Sequence, residues 1–124
     1  MKKHLYFIFI LILATSCYQP ERNCKKFKTG EFSFTSIVDG KELTTTFIRN
    51  ADEEVDYYSG KTDTSSVRWI NDCEYIVKKL NPKNKAEEKS IHMKILSTTD
   101  NSYTFEYGIV GESKKVIGTA IKTK

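Results

Sequence analysis

The sequence predicts an all-β fold of about eight antiparallel strands, joined as a meander and curled into a small barrel or half-barrel. Three features carry that prediction. Apolar and polar residues alternate with period two in run after run, turn residues interrupt those runs about every 8 to 12 positions, and no stretch keeps a helical period for long. Curling the meander removes the edges that two flat sheets would leave unpaired. A β-sandwich is the alternative arrangement of the same strands.

In chain order, Phe32 and Phe34 alternate with Glu31, Ser33 and Thr35. Asp39-Gly40 then supplies a hairpin turn, because glycine adopts positive φ without strain. The run Lys41 to Arg49 places Leu43, Thr45, Phe47 and Arg49 on one face. Asn50 to Glu54 breaks the pattern, Val55 to Tyr58 resumes it, and Ser59 to Asp63 turns again. Ser66 to Ile70 presents Val67 and Trp69 together, Asn71-Asp72 is a tight connection, and Cys73, Tyr75 and Val77 alternate after it. Asn81 to Lys89 is the one long polar break, a loop or a single helical turn. Ile91, Met93 and Ile95 follow, and Thr99 to Ser102 turns. Tyr103, Phe105, Tyr107 and Ile109 make the clearest alternation of all. Gly111 to Lys114 turns, and Val116 to Lys122 closes the chain, with Gly118 inside it as a bulge or a close approach. The alternating aromatics, Phe32, Phe34, Phe47, Trp69, Tyr75, Tyr103, Phe105 and Tyr107, read as core.

The first residues of the chain are an address. Lys2 and Lys3 precede the apolar run Leu5 to Ala14, and small residues lead into Cys17, which is the shape of a secretory signal. The run is too short to cross a bilayer, which takes about 20 apolar residues as a helix. Leu13-Ala14-Thr15-Ser16-Cys17 resembles the lipobox of bacterial lipoproteins, which implies that Cys17 is lipidated and becomes the first mature residue. The implied division is residues 1–16 as signal peptide, 17–27 as a lipidated tether, and 28–124 as a single β domain. Two or more acyl chains hold a protein stably at a membrane, so the membrane is the expected partner. Tyr18 stands where an inner-membrane retention signal would have Asp, which points to the outer membrane.

Of 124 residues, 20 are Lys or Arg and 16 are Asp or Glu, giving +4. Loss of Lys2 and Lys3 with the signal takes this to about +2, and no basic cluster exceeds the pairs Lys25-Lys26, Lys78-Lys79 and Lys114-Lys115. That argues against nucleic acid as a partner, since phosphate neutralisation needs a basic stripe. Cys24 and Cys73 remain after Cys17, an even number in a compartment that permits oxidation, and they predict a disulfide. Two buried free thiols stay open as the alternative, because sequence alone does not show that the Cα atoms approach within about 7 Å. With His92, the single histidine of the mature chain, they are too few for a zinc centre.

The stretches F-K-T-G-x-F (Phe27 to Phe32), Ile48-Arg49 and V-R-W-I-N-D-C-E-Y (Val67 to Tyr75) resemble a family of small lipoproteins of Bacteroidetes-type bacteria. The resemblance covers nearly the whole mature chain and implies no reaction. Members sometimes carry a topoisomerase IV label, which this chain does not suit: such a subunit needs several large domains, ATP and DNA sites, and the cytoplasm. Gly30-x-Phe32 is also similar to the G-x-W start of lipocalins, with Phe for Trp, and implies a lipocalin-like barrel.

Few residues promise chemistry. Arg49 shares a face with Phe47 and Leu43, so its guanidinium fork either binds the carboxylate of a small anionic ligand, beside Phe47 and Trp69, or sits at the strand end, where it snorkels to solvent or pairs with a carboxylate of the chain. Asp52-Glu53-Glu54-x-Asp56 has oxygen ligands without the spacing that wraps calcium, and reads as a solvated acidic turn. Glu74 and His92 face outward. No nucleophile motif, paired carboxylates or glycine-rich phosphate loop appears, so no catalytic residue, metal or cofactor is expected. The expectation is a lipid-anchored, non-enzymatic envelope protein acting as a binding or scaffold module. It would work either as a carrier of a small apolar or anionic ligand in the barrel, or as a partner or inhibitor of an envelope enzyme. A cavity of several hundred Å3 near Phe47, Trp69 and Arg49 would favour the carrier.

Overall fold

Residues 22–124 are described by a computed structural model. Residues 1–16, read above as a signal peptide, and Cys17, read as the lipidation site, lie outside the described residues. Among the described residues there are eight strands: β1 Gly30–Val38, β2 Lys41–Arg49, β3 Glu53–Tyr58, β4 Lys61–Asn71, β5 Glu74–Lys79, β6 Ile91–Thr98, β7 Ser102–Ile109 and β8 Val116–Lys122. Each pairs antiparallel with the next, and β8 returns to β1, so the sheet is a closed barrel in sequence order. The sandwich alternative is thereby excluded. Closure rests on Phe32, Ser33 and Phe34 opposite Lys122, Ile121 and Ala120. Beyond this ladder the Glu31 N–H donates to the Lys124 carbonyl (2.9 Å) and the Thr123 N–H to the Glu31 carbonyl (2.8 Å).

The turns set the register. Asp39 and Gly40 have φ of 51° and 75°, and Ser59 and Gly60 have 47° and 70°. Positive φ at both central residues is the type I′ condition, whose twist matches that of the strands. Two residues therefore suffice at the second turn, and β4 starts at Lys61 rather than after Asp63. β3 likewise starts at Glu53, two residues before the apolar alternation resumes. Gly118 marks a close approach: a Cβ there would stand 2.6 Å from Phe34 Cε2 and 3.0 Å from Phe105 Cζ. Only glycine lets those rings cross the strand.

One end of the barrel is closed by a 3-10 turn, Cys24–Phe27. The sequence places these residues in the tether; instead Cys24 and Phe27 are buried. Phe27 packs on Tyr103 with ring centroids 5.3 Å apart. Cys24 is disulfide-bonded to Cys73 with Cα atoms 5.2 Å apart, which settles the pairing against free thiols. The Arg22 guanidinium donates to the Ile95 carbonyl (3.0 Å), and the Asn23 N–H to Thr98 Oγ1 (2.9 Å). The core lies just inside this plug, formed by Phe32, Phe47, Ile95, Tyr103, Phe105 and Ala120.

Candidate functional site

Successive strands carry one row of inward side chains around the barrel. Phe32 on β1 lies opposite Phe47 on β2, Phe47 opposite Asp56 on β3, and Asp56 opposite Asp63 on β4. Side chains on paired residues share a face, so the two aspartates point the same way as the core phenylalanines. In the next row Arg49 lies opposite Glu54, and Glu54 opposite Ser65. Glu54 and Ser65 are buried. The acidic run is solvated only at Asp52 and Glu53; Glu54 and Asp56 belong to the barrel interior.

Arg49 is 2% exposed and sits in a box of five rings. Its guanidinium carbon lies 4.7 Å from the centroid of Tyr75, 5.0 Å from Phe32, 5.3 Å from Phe47, 5.8 Å from Tyr103 and 5.9 Å from Trp69. Arg49 Nε donates to Glu54 Oε2 (2.9 Å), Nη1 to the Phe27 carbonyl (2.8 Å), and Nη2 to the hydroxyls of Tyr75 (2.8 Å) and Tyr103 (2.9 Å). A guanidinium has five N–H donors, and this one spends four on the protein. Burial opposes its charge, but the Tyr75, Tyr103 and Glu54 oxygens outweigh that penalty and hold its pKa above the ordinary value. The group is a permanent cation that ties the 3-10 plug to β2, β3, β5 and β7.

Above this box the barrel opens into a cavity of about 370 Å3. Phe34, Leu43, Phe47, Val77, Ile91, Met93, Phe105 and Tyr107 give it an apolar lining, and Thr45, Arg49, Glu54, Asp56 and Tyr58 contribute its polar groups. Two of the residues singled out by sequence, Phe47 and Arg49, reach this space. Trp69 does not line it, but packs at a tilt on Tyr75 with centroids 4.4 Å apart, under the Lys28 ammonium at 5.0 Å.

The polar side of the cavity is acidic. Burial first, and the neighbouring Glu54 carboxylate second, push the Asp56 carboxyl up to about 8. A hydrogen bond between the protonated Asp56 carboxyl and Glu54 adds to that rise. Asp56 Oδ1 is buried and accepts no hydrogen bond from the described residues. Nearer the rim the Tyr58 hydroxyl donates to Asp63, and Lys79 bridges Asp63 (3.3 Å) and Glu87 (2.6 Å). The Tyr58 hydroxyl, with help from Lys79, keeps the Asp63 carboxyl below its usual range. Glu87 also accepts the Lys83 N–H (3.0 Å), so this chain of contacts pins the β5–β6 loop to the mouth.

Sequence reasoning took Glu54 and Asp56 for a solvated turn and missed Tyr58, Asp63 and Lys79 because it followed apolar alternation, and these strands turn their polar residues inward. The usable signal was spacing: Glu54, Asp56 and Tyr58 recur at every second residue, in register behind Arg49 and Phe47. Glu74 and His92 form an outer-face pair (3.1 Å). The Asn71 amide holds Glu74 below its ordinary pKa, with the His92 ring adding to the effect. Among the described residues no three His, Cys, Asp or Glu side chains are grouped to hold a metal ion, and no helix is long and apolar enough to cross a membrane. No protein-family model matches the chain, and a search of curated proteins finds no match.

Proposed function

We propose that the protein is a lipid-anchored, non-enzymatic envelope protein, at the outer membrane, whose barrel binds a small and largely apolar molecule. The observation that carries this reading is the cavity of about 370 Å3 lined mostly by aromatic and aliphatic side chains. Small-molecule sites run from about 300 to 1,000 Å3 and combine such a lining with a few placed polar groups. A filled core would have left room for a scaffold role alone. Arg49 is a weak receptor for an anionic ligand, because four of its five donors are engaged by Glu54, Phe27, Tyr75 and Tyr103. It serves as the floor of the site. The anchor rests on the lipobox-like stretch ending at Cys17.

Two measurements test the two halves. The mature chain should enhance and blue-shift the fluorescence of N-phenylnaphthylamine with saturable stoichiometry near one, and unchanged emission refutes the binding site. Cells fed a fatty-acid analogue should label the wild-type protein and not Cys17→Ala, and an unlabelled wild type refutes the anchor.

A further inference from the structure

We propose that the molecule held in the barrel carries an ammonium head group on an apolar body, with the Asp56 carboxylate as its counter-ion. This inference rests on the binding role proposed above and names the ligand class of that cavity. The geometry supplies three constraints. The lining is apolar over most of its circumference, so the body of the ligand is hydrocarbon or aromatic. The cation that a carboxylate-bearing ligand would need is Arg49, and its donors are already committed to four protein acceptors. The polar side chains that line the cavity below its rim include two carboxyls: Asp56, whose Oδ1 is buried and accepts nothing from the described residues, and Glu54 beside it, already served by Arg49.

Two adjacent carboxyls lack one donor between them. In the protein alone a proton fills that role, and burial first, with the Glu54 carboxylate second, raises the Asp56 carboxyl to about 8. An ammonium fills the role better, since it brings N–H donors and a full positive charge. A carboxylate ligand meets like charge, and an alcohol brings a donor without the charge. The groups facing Asp56 set the balance: Glu54 on its own strand, Arg49 from β2, and Asp63 from β4, with Lys79 of β5 and Tyr58 already held by Asp63. Binding of the cation ionises Asp56, so at neutral pH one proton leaves the protein for each ammonium taken up.

The test uses the chain from residue 17 onward with Cys17→Ala, so that no acyl chain competes for the cavity. Octylamine, octanol and octanoate are compared as matched probes by displacement of N-phenylnaphthylamine and by calorimetry in two buffers of different ionisation enthalpy. Octylamine should bind about tenfold or more tighter than octanol, as a charge-assisted hydrogen bond in place of a neutral one allows. Octanoate should bind weakest. Octylamine should release close to one proton near pH 7, and octanol none. Asp56→Asn should remove the advantage of the amine over octanol, together with its proton release. Octanol binding as tightly as octylamine, or an amine preference that survives Asp56→Asn, overturns the ammonium assignment and leaves the apolar site standing. Failure of all three probes and of N-phenylnaphthylamine overturns both. The proton count is read on the unsubstituted cavity, so the assignment stays falsifiable even if Asp56→Asn does not fold.

Discussion

Arg49→Met would leave the Glu54 carboxylate buried without its cation, and the hydroxyls of Tyr75 and Tyr103 and the Phe27 carbonyl without a donor. Breaking a buried ion pair from one side costs about 3–5 kcal/mol, and the urea midpoint of this variant should fall accordingly. Arg49→Lys should recover only part of that loss, because one ammonium cannot serve four acceptors spread around a planar fork. The sequence placed Arg49 on the apolar face and allowed it a carboxylate partner within the chain. Nothing local named that partner as Glu54, since the pairing depends on β3 starting two residues early. Asp56 makes a separate prediction. Its pKa is raised from 3.8 to about 8, so between those values the folded chain holds a proton that the unfolded chain has lost. Its contribution is then full below about pH 4 and is lost as pH rises through 8. Wild-type stability should decline across that window, and Asp56→Asn should flatten the decline, as read from urea midpoints at about pH 5, 7 and 9.

Strand identity came mostly from alternation, and it was legible where the inward residues are apolar. β1, β2, β6 and β7 follow their sequence patterns closely, because Phe32, Phe47, Ile95, Tyr103 and Phe105 are both the apolar positions and the buried ones. β3 and the first half of β4 were legible only in part, since Glu54, Asp56, Asp63 and Ser65 occupy the inward positions there. The 3-10 turn was hidden for another reason. Cys24–Phe27 has too few residues for any period to show, and Phe27 is buried because the barrel end needs a cover. Cys24–Cys73 holds that cover against the β4–β5 turn, and its residues are 49 apart in sequence. In the chain-entropy treatment a cross-link over a loop of that length is worth roughly 4 kcal/mol. Cys24→Ala with Cys73→Ala should lower stability by about that amount, measured by denaturant unfolding. Wild-type protein treated with a reductant should approach the double variant, whereas the double variant should not respond.

At the scale of the whole molecule the barrel divides into a packed, plugged half and an open half. Packing and binding compete for the second. Thr45 lines the cavity, and Thr45→Ile would put apolar volume into that space on a strand that favours a β-branched residue. Filling a cavity commonly adds about 0.5–2 kcal/mol at the expense of function. The variant should therefore melt higher and bind N-phenylnaphthylamine more weakly; a higher melting point with unchanged binding would place the probe elsewhere. The sequence by itself determined the count of about eight strands and their antiparallel order and offered Cys24 and Cys73 as a candidate pair, because alternation, turn residues and an even cysteine count are local or arithmetic facts; that the two cysteines meet was decided by the structure. Only the tertiary structure decided that the sheet closes, that a plug seals one end, and that Arg49, Glu54 and Asp56 meet behind Phe47. Those outcomes depend on register between strands, and register is settled by which faces pack together once the whole barrel has formed.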